Sequence, residues 1–119
     1  MFELKIETHF SAAHHLLNYN GACENQHGHN WKVEVFVRGT QLDSAGILVD
    51  FKVLKRAVNE LLDTLDHKDL NTLEMFTDKS PSSENISKYL YYELKKQFSD
   101  ISKVSVWETE NACASYFEE

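Results

Sequence analysis

The chain has one proline, Pro81, in 119 residues. Its two cysteines, Cys23 and Cys113, cannot make a disulfide framework. No apolar run approaches the roughly 18 residues of a membrane span. Basic residues are outnumbered, 12 against 19 acidic ones, for a net charge of −7. That balance argues against a nucleic-acid binder that relies on phosphate contacts, although a local basic pocket for a small anion stays open. The opening stretch, Met1 to Glu7, contains acidic residues and does not read as a signal peptide. These absences point to a reduced, cytoplasmic protein that engages neither membrane nor nucleic acid. Repeats, low-complexity tracts and linkers are missing too. The hydrophobic share of 42% is too high for disorder, and the length fits a single domain over 1–119.

The apolar residues that are present alternate in four places. Phe2, Leu4, Ile6, Thr8, Phe10, Ala12 and His14 share one parity, which predicts a long strand with a mostly apolar face. Asn18 to Ala22 reads as a loop around Asn20-Gly21. Trp31, Val33, Val35 and Val37 predict a second strand, with His27 and His29 extending its apolar parity. Ile47 to Val49 reads as a short extended piece. Asp50 caps a predicted helix with Phe51, Leu54, Ala57, Val58, Leu61 and Leu62 at helical spacing. Leu65 to Thr77 reads as a long connection. Pro81-Ser82-Ser83-Glu84 opens a second helix carrying Ile86, Leu90, Leu94 and Phe98. Val104, Val106 and Glu108 alternate on a third strand, and a short fourth follows from Ala112, with Cys113 taken as core. The expected fold is α+β, in the order ββααββ. It is a four-stranded antiparallel sheet with both helices on one face. Since the only proline lies in a loop, it does not blunt the sheet edges, which suggests association through them.

The chemistry concentrates in the run from Cys23 to His29. On a strand, His27 and His29 point to the same face, which is half of a zinc site. Antiparallel pairing of the first two strands brings His14 towards them. Three imidazoles with an open fourth position form the ligand set of a catalytic zinc. The plainer alternative is a set of half-buried histidines at a strand end. His9 and His15 have the opposite parity to His14, which suits a surface role. Cys23 reads as a reactive thiol beside a cation, or else as a small buried hydrophobe. Glu24 is either solvated or a second base. In Asp66-His67 a carboxylate could orient an imidazole for acid–base work, although such a dipeptide is often accidental. Glu108 lies on an inward parity and needs partners. Either a core salt bridge or a ligand edge with two N–H groups would satisfy it.

Six motifs then occur in order across nearly the whole chain. They are Phe10-Ser11-Ala12-Ala13-His14, Cys23-x-x-x-His27-Gly28-His29, Val49-Asp50-Phe51, Leu65-Asp66-His67 with Leu70-Asn71, Pro81-Ser82-Ser83-Glu84-Asn85, and Glu108-Thr109. Together they resemble the superfamily of 6-pyruvoyl- and 6-carboxytetrahydropterin synthases. The resemblance implies the tunnelling fold, with subunit sheets joined edge to edge into trimers that stack as a homohexamer. It implies Zn2+ on His14, His27 and His29, and 7,8-dihydroneopterin triphosphate as substrate. It implies that Glu108, with Thr109 beside it, holds the pterin at an active site between subunits. Cys23 would transfer a proton, partnered by Asp66 and His67 of a neighbouring subunit.

Branches of the superfamily differ in product. The three residues between Cys23 and His27 resemble the 6-carboxytetrahydropterin synthases of queuosine biosynthesis, which release acetaldehyde and triphosphate. Animal-type 6-pyruvoyl synthases usually have five. A third branch carries glutamate with two residues between it and the HGH, where Glu24 would stand, and makes 6-hydroxymethyl-dihydropterin for folate. The Cys23-Glu24 pair therefore looks like a combined type. Relatives often have basic residues where this chain has His15, Ala22 and Asn25, which leaves Lys79, Lys88 or another subunit to hold the triphosphate. A zinc- or pterin-binding module without turnover would need the three histidines but not the acid–base trio.

Overall fold

The computed structural model describes residues 1–18 and 25–119. Cys23 and Glu24, and most of the loop expected at Asn18–Ala22, lie outside the described residues. Two strands dominate, β1 (Phe2–His14) and β2 (His27–Gly39). They pair antiparallel without a slip, from Phe2 opposite Gly39 to His14 opposite His27. The apolar parities of the two strands thereby land on one face: Ile6 faces Val35 and Phe10 faces Trp31. Next come α1 (Phe51–Asp63), β3 (Lys68–Asp69), α2 (Ser83–Lys95), β4 (Ile101–Thr109) and β5 (Ala112–Tyr116).

The sheet has five strands in the order β3-β1-β2-β4-β5, where the sequence suggests four. The extra strand, β3, runs parallel to β1 through Ala12–Lys68 and Ala13–Asp69, so the sheet is mixed rather than wholly antiparallel. A two-residue strand has no periodicity to read. It sits inside the Leu65–Thr77 connection, followed by 3-10 turns at Leu70–Thr72 and Glu74–Phe76. The Ile47–Val49 piece is not a strand. It follows a turn in which Asp43 accepts the N–H groups of Ala45 and Ile47, with Gly46 at φ +80.

Both helices cover one face. Leu54, Val58 and Leu62 of α1 join Ile86, Leu90 and Leu94 of α2 in a single cluster with Ile6, Phe10, Val33, Val35, Val104 and Val106. Helix ends are set locally. The Asp50 carboxylate accepts from Lys52 N–H at 2.8 Å, and the Ser82 hydroxyl accepts from Asn85 N–H at 3.1 Å. The helix-free face is polar. There Glu34 accepts from Trp107 Nε1 at 2.6 Å and from Lys5 Nζ at 3.0 Å. Burial pushes the Glu34 carboxyl up, but these two hydrogen bonds and the charges of Lys5 and Lys32 outweigh it and hold it below its ordinary value. Cys113 is exposed and not core, because it pairs with Trp107 and so falls on this helix-free face.

Replacing Leu90, which is 1% exposed, with Ala should cost about 2–5 kcal/mol, because it deletes packing that the surrounding core cannot fully recover. Urea unfolding of both forms measures the loss.

Candidate functional site

The β1–β2 ladder ends where its histidines begin. His14 faces His27, and His29 faces Ala12, so all three rings stand on the helix side of the sheet. Their centroids are 4.6–5.3 Å apart, every pair edge-on. Trp31 is wholly buried, packs against His14 and His29, and donates its Nε1–H to the Ala12 carbonyl at 3.2 Å. Glu108 closes the group from β4. Its Oε1 lies 2.9 Å from His29 Nε2, 3.3 Å from His14 Nε2 and 3.8 Å from His27 Nε2. One ligand atom from each of the four residues falls within a span of 4.8 Å, so the group could hold a metal ion.

The protonation pattern argues for a cation there. His14 Nδ1 lies 2.7 Å from the Pro81 carbonyl, and His27 Nδ1 lies 2.9 Å from the Asn25 carbonyl. A carbonyl only accepts, so both Nδ1 atoms carry the proton. In the neutral rings both Nε2 atoms then present lone pairs, yet they face each other at 3.1 Å. The buried Nε2 of His29 has no hydrogen bond among the described residues, although Glu108 is beside it. Burial lowers the His29 pKa, Glu108 opposes, and the charges of His14 and His27 lower it further, so the ring favours its neutral form. Three imidazoles and a carboxylate aimed at one point suit a divalent ion. Nδ1 hydrogen bonds to carbonyls are the usual support for imidazole ligands.

The Pro81 carbonyl belongs to the entry of α2, which is itself stitched to β1. Ser80 Oγ accepts from Leu17 N–H at 2.7 Å, and Asn85 Nδ2 donates to the Ser80 carbonyl at 2.8 Å. The sequence marks the Pro81–Asn85 run as a helix start and a motif, and its positioning role emerges here. Asn71 has a similar role. Its amide accepts from His15 N–H at 2.9 Å and donates to the His15 carbonyl at 3.0 Å, which holds the end of β1. His9 is exposed, as its parity suggests, whereas His15 is half-buried with its Nδ1 enclosed.

Asp66 and His67 form a second, separate arrangement along the outer edge of β1. Asp66 Oδ1 accepts Ser11 N–H at 2.8 Å, and its Oδ2 lies 2.9 Å from His67 Nδ1. His67 donates its own N–H to the Ser11 carbonyl. At φ +58 its backbone is left-handed, which is uncommon for a residue other than glycine, and its side chain is 80% exposed. Backbone donation from Ser11 and the contact with His67 hold the Asp66 carboxyl below its usual range. His67 and His29 line one groove of about 540 Å3, together with Ser11, Gly28, Asn30 and Asp69. Thr109 is exposed at the end of β4, where its hydroxyl accepts from Asn111 N–H.

The 6-pyruvoyl tetrahydropterin synthase family model matches residues 3–119. The chain belongs to this family. A relative named as a putative 6-carboxy-5,6,7,8-tetrahydropterin synthase, from Archaeoglobus fulgidus, is 39% identical over 92% of this chain and 90% of its own. The 6-carboxy-5,6,7,8-tetrahydropterin synthase of Bacillus subtilis is also 39% identical, over 76% of this chain and 63% of its own. The Caenorhabditis elegans 6-pyruvoyl tetrahydropterin synthase structure superposes with a TM-score of 0.86 at 28% identity, covering 99% and 96% of the two chains. These matches bear out the resemblance read from the motifs, and with it the expectation of an enzyme. The tetrahydropterin synthases share the general fold found here, two helices on a sheet, with five strands in this chain.

The depressed Asp66 carboxyl sets a pH expectation. The link to Ser11 and His67 should be fully present above the ordinary carboxyl value of 3.8 and be lost as pH falls through the lower folded value. A titration of 13C-labelled aspartate by NMR should give a midpoint for Asp66 below 3.8, with the Ser11 amide moving in step.

Proposed function

We propose that this enzyme uses zinc, held by His14, His27 and His29, to convert 7,8-dihydroneopterin triphosphate to 6-carboxy-5,6,7,8-tetrahydropterin, with release of acetaldehyde and triphosphate. The convergence of three imidazole Nε2 atoms on one point at the ladder end is the observation that carries the reading. The names of the two 39% identical relatives favour the carboxy product. Bound in this ligand set, zinc would supply a Lewis-acid charge beside the substrate's side chain. Imidazole ligands also suit other divalent ions, so metal analysis is part of the test.

The protein's own groups divide the remaining work. Glu108 accepts from the 2-amino and N3–H groups of the pterin, a bidentate contact that orients the ring, with Thr109 at its border. Cys23 moves a proton on the substrate side chain. Asp66 holds the His67 imidazole and stabilises its charged form while that ring exchanges protons with the thiol. In the described residues Asp66 and His67 are bonded to β1 and not to the histidine cluster. An active site completed by a neighbouring subunit fits that arrangement. The open edges fit it as well: among the described residues β1 pairs on its outer side with a strand only at Ala12 and Ala13, and β5 is the far edge of the sheet. We take the whole of 1–119 as one such domain, assembled as a hexamer of two stacked trimers. Lys88 lies over the Tyr116 ring, at 5.8 Å from its centroid, so triphosphate binding falls to other groups or requires that lysine to swing away.

Glu24, with two residues between it and His27-Gly28-His29, supports a second activity: cleavage to 6-hydroxymethyl-7,8-dihydropterin. Mass spectrometry after incubation with dihydroneopterin triphosphate separates the outcomes. The carboxy product with acetaldehyde is expected. A 6-pyruvoyl product would place the chain in the other branch, and no turnover would leave a binding module. The Cys23→Ala variant should lose the carboxy-forming reaction while keeping about one metal per chain. Loss of the metal as well would overturn the proton-transfer role given to the thiol.

A further inference from the structure

Glu108 differs from the other three members of the cluster in how it is held. His14, His27 and His29 all lie on the unslipped β1–β2 ladder. Glu108 sits where β4 slips against β5: Trp107 faces Cys113 and Thr109 faces Ala112, so Glu108 has no partner on β5. On its other side the ladder with β2 has already ended at Lys32–Trp107. Such a bulge re-aims a side chain and loosens the strand locally. The Glu108 side chain is 36% exposed, as is that of His27, against 2% for His14 and 20% for His29.

Its position also fits a metal's coordination shell. A tetrahedral ion about 2.0–2.1 Å from each ligand sets the ligand atoms about 3.3–3.4 Å apart. The separations here are 3.1 Å between His14 and His27, and 3.3, 2.9 and 3.8 Å from Glu108 to His14, His29 and His27. These four scatter around that value, and the group as a whole spans 4.8 Å. The carboxylate is thus within reach of a fourth corner. Yet the same carboxylate is the group assigned above to the pterin, and a bidentate contact to two N–H groups engages both of its oxygens.

We propose that Glu108 is an exchangeable fourth ligand. Its carboxylate closes the metal's shell when no pterin is bound, and leaves for the pterin edge when substrate enters. This rests on the pterin reading of the preceding subsection. In the exchange the metal–carboxylate bond breaks and the carboxylate keeps its charge. The vacated corner opens to water or a substrate oxygen, and no proton or electron is transferred. A closed, four-ligand site of the structural kind thus becomes a three-histidine site of the catalytic kind only when substrate is present. The ladder supplies the fixed ligands and the bulge supplies the mobile one.

The test uses the full chain loaded with Co2+, whose visible absorption reports coordination number, and plain pterin, which absorbs below that range and lacks the side-chain hydroxyls. The wild type should show an intense four-coordinate band that changes when pterin binds. Glu108→Ala should weaken Zn2+ and Co2+ binding by about tenfold to a hundredfold, at least the effect of removing an indirect support of a ligand. Its Co2+ band should already differ from the wild type without pterin. The isosteric Glu108→Gln should behave alike, and equal unfolding midpoints of the metal-free forms show that folding is not the cause. Unchanged metal affinity and spectrum in both variants would overturn the ligand role. Pterin binding, followed by fluorescence, with an unchanged Co2+ band would overturn the exchange and leave the pterin reading intact. Failure of pterin to bind would overturn both.

Discussion

The register of β1 against β2 is the constraint on which the rest depends. Side chains alternate along a strand, so a slip of one residue would send His14 to the helix-free face while His27 and His29 stayed on the other. The apolar parity prevents the slip. Ile6, Phe10 and Ala12 on one strand, and Trp31, Val33, Val35 and Val37 on the other, must all face the helices or lose their burial. Hydrophobic packing on one face of a thirteen-pair ladder thus fixes the geometry of three imidazoles at its far end. The core pattern and the histidine pattern are one pattern, read at its two ends.

Orientation needs a second constraint, because register sets the face and not the ring. The Pro81 carbonyl fixes which nitrogen of His14 is protonated, and therefore which one points into the cluster. Pro81 is held there by the start of α2, and the apolar side of α2 is packed into the core. The chain's only proline, which leaves the strand edges unblunted, thus presents one of the carbonyls that prepare the site. Trp31 adds a rigid floor beneath two of the rings.

The two faces and edges of the sheet divide the remaining tasks. Asp66 and His67 are locked to the outer edge of β1 through Ser11, where a neighbouring chain could meet them. Glu108 is released from its ladders by the bulge, so it can approach the histidines from β4. An acid–imidazole pair on an edge, imidazoles on a ladder and a carboxylate on a bulge show three grades of backbone restraint.

Strand parity alone was enough to gather His14, His27 and His29, because both periodicity and antiparallel pairing follow from local sequence. The helices and the cap at Asp50 were legible for the same reason. The motif set was enough to reach the family. Tertiary structure alone decided the rest. β3 is too short to have a period, and it exists because the Asp66–Asn71 segment docks on β1. Cys113 follows the parity of a strand whose register only pairing with β4 could set. Glu108 was legible as an inward carboxylate in want of a partner, yet its partner proved to be the histidine cluster. The parity of β4 puts it on that face, whereas the bulge that frees it from β5 is a mismatch between two strands, and no single strand's pattern contains it.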